Sequence, residues 1–254
     1  MPIALISNDD GIWAPGIRAL CSAAAEAGYQ VYVCAPDRER SAISHGLTMG
    51  IPLRVDQVDV AGAVHAWCTT GTPADCMKIA LEVLMPCRPD VVIAGVNRGP
   101  NLGTDVLYSG TVAAAMEGAV AGIPSVAVST ADYEPTDYTL AASAGLTVAR
   151  TALTRRLPAG LLLNVNVPDG ADPSLFTVTR LGVQRYSNVF DKRRDPRGKV
   201  YYWLCGVPEY DMAGEGDLDT ATVRRSEVSV TPLRSDFTDA QAMASVRAWD
   251  SSPP

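Results

Sequence analysis

The sequence predicts an α/β fold on a mainly parallel sheet, and two observations carry that expectation. Up to about residue 130, short apolar runs alternate with longer helical patterns, the signature of βαβ units. The unusual polar residues of the same half lie in the segments that leave those apolar runs, where ligands bind in an open α/β sheet. With 254 residues, 47% hydrophobic and 19% charged, the chain can bury a core without disulfides or structural zinc. A single domain over 1–254 is expected.

The elements follow in order. Ile3 to Ser7 is a short apolar strand ending in a polar turn. A helix runs from about Pro15 to Ala27, with proline in its first turn and Gly28 placed to stop it. Gln30 to Ala35 is the second strand. Leu53 to Asp59 and Val64 to Cys68 read as an antiparallel excursion. Thr72 can cap the next helix, Pro73 suits its first position, and Asp75, Lys78 and Glu82 trace one wet stripe along it. Asp90 to Ala94 is a buried strand leading into a Gly/Asn-rich loop.

Thr111 to Ala121 is a helix with Glu117 as its one charge, so it is either central or covered by a partner subunit. Ser125 to Ser129, a helix over Tyr138 to Arg156 and a strand from Leu161 to Val167 follow. Then the pattern turns to strands and turns. Val183 to Phe190 and Lys199 to Leu204 flank the reverse turn Asp195-Pro196-Arg197-Gly198. This hairpin, about 183–206, carries basic residues and the aromatics Tyr186, Phe190, Tyr201, Tyr202 and Trp203. It either packs on its own domain or reaches a neighbouring subunit as an arm, because a two-stranded ribbon is marginal alone. Glu209 to Asp219 reads as a mobile acidic loop. Ser229 to Leu233 is a last strand before a short helix and a frayed Ser-Ser-Pro-Pro end.

A net charge of −7 disfavours nucleic acid and anionic membranes as partners. The start of the chain lacks the basic flank and apolar length of a signal peptide, and no run approaches a membrane span. The six cysteines include no CxxC pair and read as small buried hydrophobes of a reducing compartment. A cytoplasmic protein is expected.

The candidate chemistry sits in three loops that follow strands. Asp9 and Asp10 in Asn8-Asp9-Asp10-Gly11 can aim at one point only if a cation offsets their repulsion. Their hard oxygens suit Mg²⁺ or Mn²⁺, with Ser41 and Asn97 as neutral co-ligands; the plain alternative is an ordinary turn. Zinc is disfavoured, with only His45 and His65 in the chain. His65 reads as a strand or surface residue. His45, in the loop after the second strand, is a candidate for a supporting or proton-handling role. Arg38-Glu39-Arg40 is either a solvated loop face or a screen for an anionic substrate. Ser109-Gly110-Thr111 opens a helix and is either a plain N-cap or an anion site made of backbone N–H groups and the helix dipole. No P-loop, GxGxxG or GxSxG motif is present.

These residues resemble the survival protein E (SurE) family of metal-dependent nucleotidases. The resemblance is carried by Asn8-Asp9-Asp10-Gly11-Ile12 with Ala14-Pro15-Gly16-Ile17, by Ala35-Pro36-Asp37-Arg38-Glu39-Arg40-Ser41, and by Gly71-Thr72-Pro73-Ala74-Asp75-Cys76. It continues through Gly95-Val96-Asn97-Arg98-Gly99, Asn101-Leu102-Gly103, Leu107 to Gly118 and Ser229-Val230-Thr231-Pro232-Leu233. Ser226-Glu227 and Ser44-His45-Gly46 depart from the family pattern, and neither touches the ligand positions.

The resemblance implies a three-layer α/β/α sandwich with a Rossmann-like, mostly parallel sheet. It also implies a protruding hairpin arm that exchanges between subunits in a homodimer or homotetramer. One divalent ion per subunit, Mg²⁺ or Mn²⁺, would be held by Asp9, Asp10, Ser41 and Asn97, with Asp9 and Asp10 catalytic. Asn8, Asn97, Ser109, Gly110 and Thr111 would receive the substrate phosphate; Arg40 and His45 are candidates for a supporting role from their place in the loop after the second strand, not from the resemblance. The implied activity is hydrolysis of nucleoside 5′-monophosphates, with 3′ esters and polyphosphate as further substrates. The alternative is a nucleotide-binding regulatory module without turnover.

Overall fold

The computed structural model describes residues 1–187, 189–210 and 216–249. Its first half is built from β1 (Ile3–Ser7), α1 (Pro15–Glu26), β2 (Gln30–Pro36), β3 (Val55–Val58), β4 (His65–Thr69), α2 (Pro73–Ile79) with a π-helical turn over Ala80–Leu84, and β5 (Val91–Asn97). A 3₁₀ turn over Gly103–Leu107 leads to α3 (Gly110–Val120), β6 (Ser125–Thr130), α4 (Thr139–Thr154) and β7 (Leu161–Val167). The remainder holds β8 (Thr177–Val178), β9 (Gln184–Ser187), β10 (Phe190–Arg194), β11 (Val200–Leu204), β12 (Val207–Tyr210), α5 (Asp219–Arg224), β13 (Ser229–Arg234) and α6 (Ala240–Trp249).

Nine strands form one sheet in the order β3-β4-β2-β1-β5-β6-β7-β13-β8. The run from β4 to β7 is parallel, while β3 and β13 pair antiparallel with β4 and β7. The central strands read as unbroken apolar runs because both faces are covered. Ala4, Ile6, Val31, Val33, Val91 and Ile93 point into a core shared with α1 and α4. Their sequence neighbours Leu5, Tyr32, Cys34, Val92 and Ala94 point into a second core under α2 and α3. The period-two alternation of a strand thus feeds two cores, and the architecture is the expected α/β/α sandwich.

Several local expectations are corrected. The segment 64–68 is not wholly an antiparallel excursion: β4 pairs parallel with β2 and only β3 turns back. Asp75 is no part of a wet stripe. It is buried and closes a capping box with Thr72, accepting from Thr72 N at 2.9 Å while Thr72 Oγ1 accepts from Asp75 N at 3.1 Å. The hairpin is two successive ladders, β9 with β12 and β10 with β11, so the expected single strand 183–190 is split and the ribbon continues to Tyr210. The aromatics of β10 and β11 are exposed, and α6 buries no residue. Cys87 and Cys205 are exposed, whereas Cys21, Cys34 and Cys76 are buried as expected. Residues 211–215 of the expected acidic loop and the end of the chain (250–254) lie outside the described residues, while Glu209 and Tyr210 belong to β12 and Asp219 opens α5. Among the described residues no helix is long and apolar enough to cross a membrane.

Candidate active site

β1 lies between β2 and β5, so the direction of winding reverses there, and a crevice opens at the carboxyl ends of these strands. The chain leaves β1 through Asn8-Asp9-Asp10-Gly11. Gly11, at φ +99°, takes a conformation that favours glycine, and a Cβ there would lie 3.0 Å from the Arg38 carbonyl carbon. Main-chain groups stitch the three loops together at the two aspartates. Arg40 N donates to Asp9 O at 2.7 Å, and Arg98 N donates to Asp10 Oδ2 at 3.1 Å. The loops after β1, β2 and β5 therefore meet where the sequence expects.

The fourth piece is the start of α3. Ser109 caps it by accepting from Val112 N at 3.1 Å. The Thr111 hydroxyl donates to Asp9 Oδ1. Gly110 is packed so tightly on Asp9 that a Cβ would lie 2.9 Å from Oδ2. Among the described residues the Gly110 N–H has no protein acceptor, which leaves a donor at the positive end of the helix. Both aspartates are held away from the ordinary carboxylate range. Burial pushes Asp9 up to about 6, against the Thr111 hydrogen bond and with help from the negative charge of Asp10. Burial likewise raises Asp10, against the Arg98 N–H and guanidinium.

Ser41 and Asn97, the last in β5, are the chain neighbours of Arg40 and Arg98, whose N–H groups bond to the pair. Ser41 Oγ donates to Glu39 Oε1 at 2.7 Å and keeps its lone pairs. Asn97 Nδ2 donates to Gly99 O at 2.8 Å, so its amide oxygen is left without a partner among the described residues. The register of β5 against β6 shifts between Ala94 and Asn97, and this irregularity re-aims Asn97 at the end of the strand. Asn8 is fully buried. Its Nδ2 braces the turn at Gly11 O (2.9 Å), and its Oδ1 is unpartnered. Arg40 braces its loop through Asp37 Oδ1 at 3.1 Å and Thr70 O at 2.7 Å.

These donors fit a hard divalent cation. Two carboxylates, a hydroxyl and an amide oxygen are available, and among the described residues no Lys or Arg side chain pairs with Asp9 or Asp10. No three His, Cys, Asp or Glu side chains among the described residues come together as a metal group. A cation at this rim would take half of its protein ligands from Ser41 and Asn97.

Buried amides missed by the sequence reading hold the rim from beneath. Asn101 N donates to Asn166 Oδ1 and Asn101 Nδ2 to Ser129 Oγ, both at 2.8 Å; Asn101 O accepts from Asn164 Nδ2 at 2.8 Å. The asparagines within apolar β7 were the available signal. Asp219, also missed, accepts from the N–H groups of Gly103, Gly182 and Thr220, each at 2.8 Å. His45 meets Glu117 Oε1 at 2.6 Å, and Lys78 Nζ reaches Glu117 Oε2 at 3.2 Å. A groove of about 910 Å³ runs past Ser44, His45, Leu107, Ser109 and Phe237, but neither aspartate lines it. His65, exposed at the start of β4, stacks with Trp67 at 5.9 Å, at the end of the strand away from the rim.

A Rossmann-like sheet with an oxygen-rich acidic crevice at its switch point, closed by a helix N-terminus, defines an α/β protein equipped for a cation and an anion together. The sequence matches the family described as Survival protein SurE over residues 4–188, and the chain belongs to that family. It is 48% identical over 248 residues to a 5′-nucleotidase SurE of Heliobacterium modesticaldum, covering 96% of this chain and 90% of that one. A 5′-nucleotidase SurE of Pelotomaculum thermopropionicum is 51% identical over 241 residues, covering 94% and 92%. The crystal structure of the Aquifex aeolicus SurE protein superposes with a TM-score of 0.83 at 37% identity, covering 98% of this chain and all of that one.

Proposed function

We propose that the chain is a nucleotidase, a phosphomonoesterase that hydrolyses nucleoside 5′-monophosphates to nucleoside and phosphate. The observation that carries this reading is the placement of Asp9 against the start of α3, with Asp10 beside it on the Arg98 N–H, at the switch point, in a chain whose relatives bear the name 5′-nucleotidase. Asp9, Asp10, Ser41 and Asn97 would hold one divalent cation, Mg²⁺ or Mn²⁺. When bound, it supplies charge neutralisation at the phosphoryl group and activation of water.

The remaining work falls to this chain's own groups. Gly110 N–H and the α3 dipole receive a phosphate oxygen, and Asn97, Ser109 and Thr111 line the same position. Thr111 fixes the rotamer of Asp9. Asp9 or Asp10 takes the proton of the attacking water, and burial makes Asp9 a stronger proton acceptor than an exposed aspartate. The water oxygen forms the new P–O bond, the ester P–O bond breaks, and the proton taken by the aspartate passes to the leaving oxygen. 3′-Monophosphates and polyphosphate are further candidate substrates. The exposed apolar residues of β10 and β11, such as Phe190, Tyr202, Trp203 and Leu204, and of α6, such as Trp249, support a homodimer or homotetramer joined through the arm and the C-terminal region. The compartment proposed is the cytoplasm.

The test is phosphate release from a panel of nucleoside 5′- and 3′-monophosphates with Mg²⁺, with Mn²⁺ and with chelator. Cation-dependent release, abolished by chelator, is expected. Saturable nucleotide binding without any release would replace this reading with a regulatory module.

A further inference from the structure

The loop 41–48 joins the rim to the cleft between α2 and α3, and one interior carboxylate holds it from below. Glu117 is the only charged residue of α3, whose residues 110 to 119 are all buried. A carboxylate in that setting is strongly unfavourable unless paired. It is paired on both oxygens, with His45 Nε2 at 2.6 Å and Lys78 Nζ at 3.2 Å. Burial pushes its carboxyl up, but the hydrogen bonds of His45 and Lys78 outweigh this and hold it below the usual glutamate range.

The two partners do different things. Lys78 belongs to α2, already packed on α3. His45 belongs to an irregular loop, four residues after Ser41. Between them Ala42 (φ 55°) and Ser44 (φ 58°) take left-handed conformations, which side-chain-bearing residues keep only when their surroundings enforce them. The other restraints grip the loop on either side of His45, and none of them holds the His45 side chain itself. Ser44 donates to Leu107 O (2.7 Å) and Tyr108 O (2.9 Å), Thr72 Oγ1 donates to Gly46 O (2.7 Å), and Thr48 N donates to Asp75 (3.1 Å).

We propose that Glu117 is a positioning residue for the nucleotidase reaction: through His45 it fixes the 41–48 loop and thereby sets where Ser41 stands at the rim. This rests on the nucleotidase reading and on Ser41 as a rim ligand. Glu117 acts on a population. When the loop is loosened, only a fraction of the molecules has the rim assembled, and apparent affinity falls by that fraction. Molecules that do bind substrate still carry Asp9, Asp10 and Thr111 in place, so KM moves and kcat does not.

The experiment compares Glu117→Ala, Glu117→Gln, His45→Ala, the Glu117→Ala/His45→Ala double variant and Lys78→Met in the full chain. It measures AMP hydrolysis with Mn²⁺ and amide hydrogen exchange at Ser44 and Thr48. Glu117→Ala and His45→Ala are each expected to raise KM roughly fivefold to tenfold with kcat within about twofold, and to speed exchange at both amides. The double variant should match the singles, and Glu117→Gln, which keeps an acceptor for His45, should stay near the parent. Lys78→Met should lower the melting temperature and leave KM alone. Should Glu117→Ala fail to fold, His45→Ala carries the same test with Glu117 still paired to Lys78. Unchanged KM and exchange in folded His45→Ala, or additive effects in the double variant, would overturn the proposal. If the parent protein releases no phosphate from AMP, the nucleotidase reading fails, and the exchange rates still decide whether Glu117 and His45 hold the loop.

Discussion

Two regions of the molecule place carboxylates on or against α3 and treat them in opposite ways. At the rim, Asp9 lies against the start of α3 and Asp10 next to it, with no basic side chain in an ion pair with either among the described residues, and burial raises both. In the α2–α3 cleft, Glu117 is fully paired with His45 and Lys78 and held low. Asp219 belongs with Glu117 in one respect, being satisfied from inside by three N–H groups. A buried charge that the fold compensates is there for structure. A pair that it compensates only in part, as Thr111 and Arg98 do here, keeps raised carboxyls that an external cation would stabilise.

The largest expected effect breaks the rim. Asp9→Asn should cut turnover by roughly three orders of magnitude, because it would remove a proposed ligand charge and one of the two candidate proton acceptors together. Its melting temperature should stay level or rise, since a buried charge compensated only in part disappears. A folded variant with near-parental turnover would remove Asp9 from the chemistry. Next comes Gly110→Ala, whose methyl group would press within 2.9 Å of Asp9 Oδ2. A displacement on the order of 1 Å there should cost about a hundredfold in kcat/KM, with far-ultraviolet circular dichroism unchanged.

A smaller effect sharpens the contrast through pH. The native-state pKa of Asp9, about 6, lies above the ordinary value of 3.8. Between those values the native state binds the extra proton, so the cation-free protein loses stability from this group as pH rises through the window. Mn²⁺ reverses that penalty by binding the ionised pair. At a hundred times its Kd it should add about 2.7 kcal/mol, several degrees of melting temperature at pH 7.5 and less at pH 5. A shift independent of pH would separate the cation from Asp9. The smallest effect is at the compensated site. Lys78 is half exposed, so Lys78→Met should cost about 1 kcal/mol or less, read by thermal melting.

Much of this was legible in the sequence, for identifiable reasons. Strands buried on both faces, such as Val91 to Ala94, announce themselves as apolar runs, and the strand ends and the loops leaving them carry Asp9, Asp10, Ser41 and Asn97. The arm was misread because both faces of β10 and β11 are exposed, so no burial pattern pins their register. Asp75 was misplaced because a capping residue in the first turn has the same three- and four-residue spacing as a solvated stripe. The Glu117 cluster was invisible as a cluster, since His45 and Lys78 lie 72 and 39 positions away along the chain. Its trace was a lone charge on an apolar helix, which spacing alone cannot connect to a distant loop.

The rim is tested most directly by locating the cation. A crystal of the full chain soaked in Mn²⁺, measured at a wavelength where manganese scatters anomalously, should show one peak per subunit within bonding distance of Asp9, Asp10, Ser41 and Asn97. The same soak of Asp9→Asn should leave that position empty. A peak elsewhere in the parent protein, or none at this crevice, would contradict the assignment.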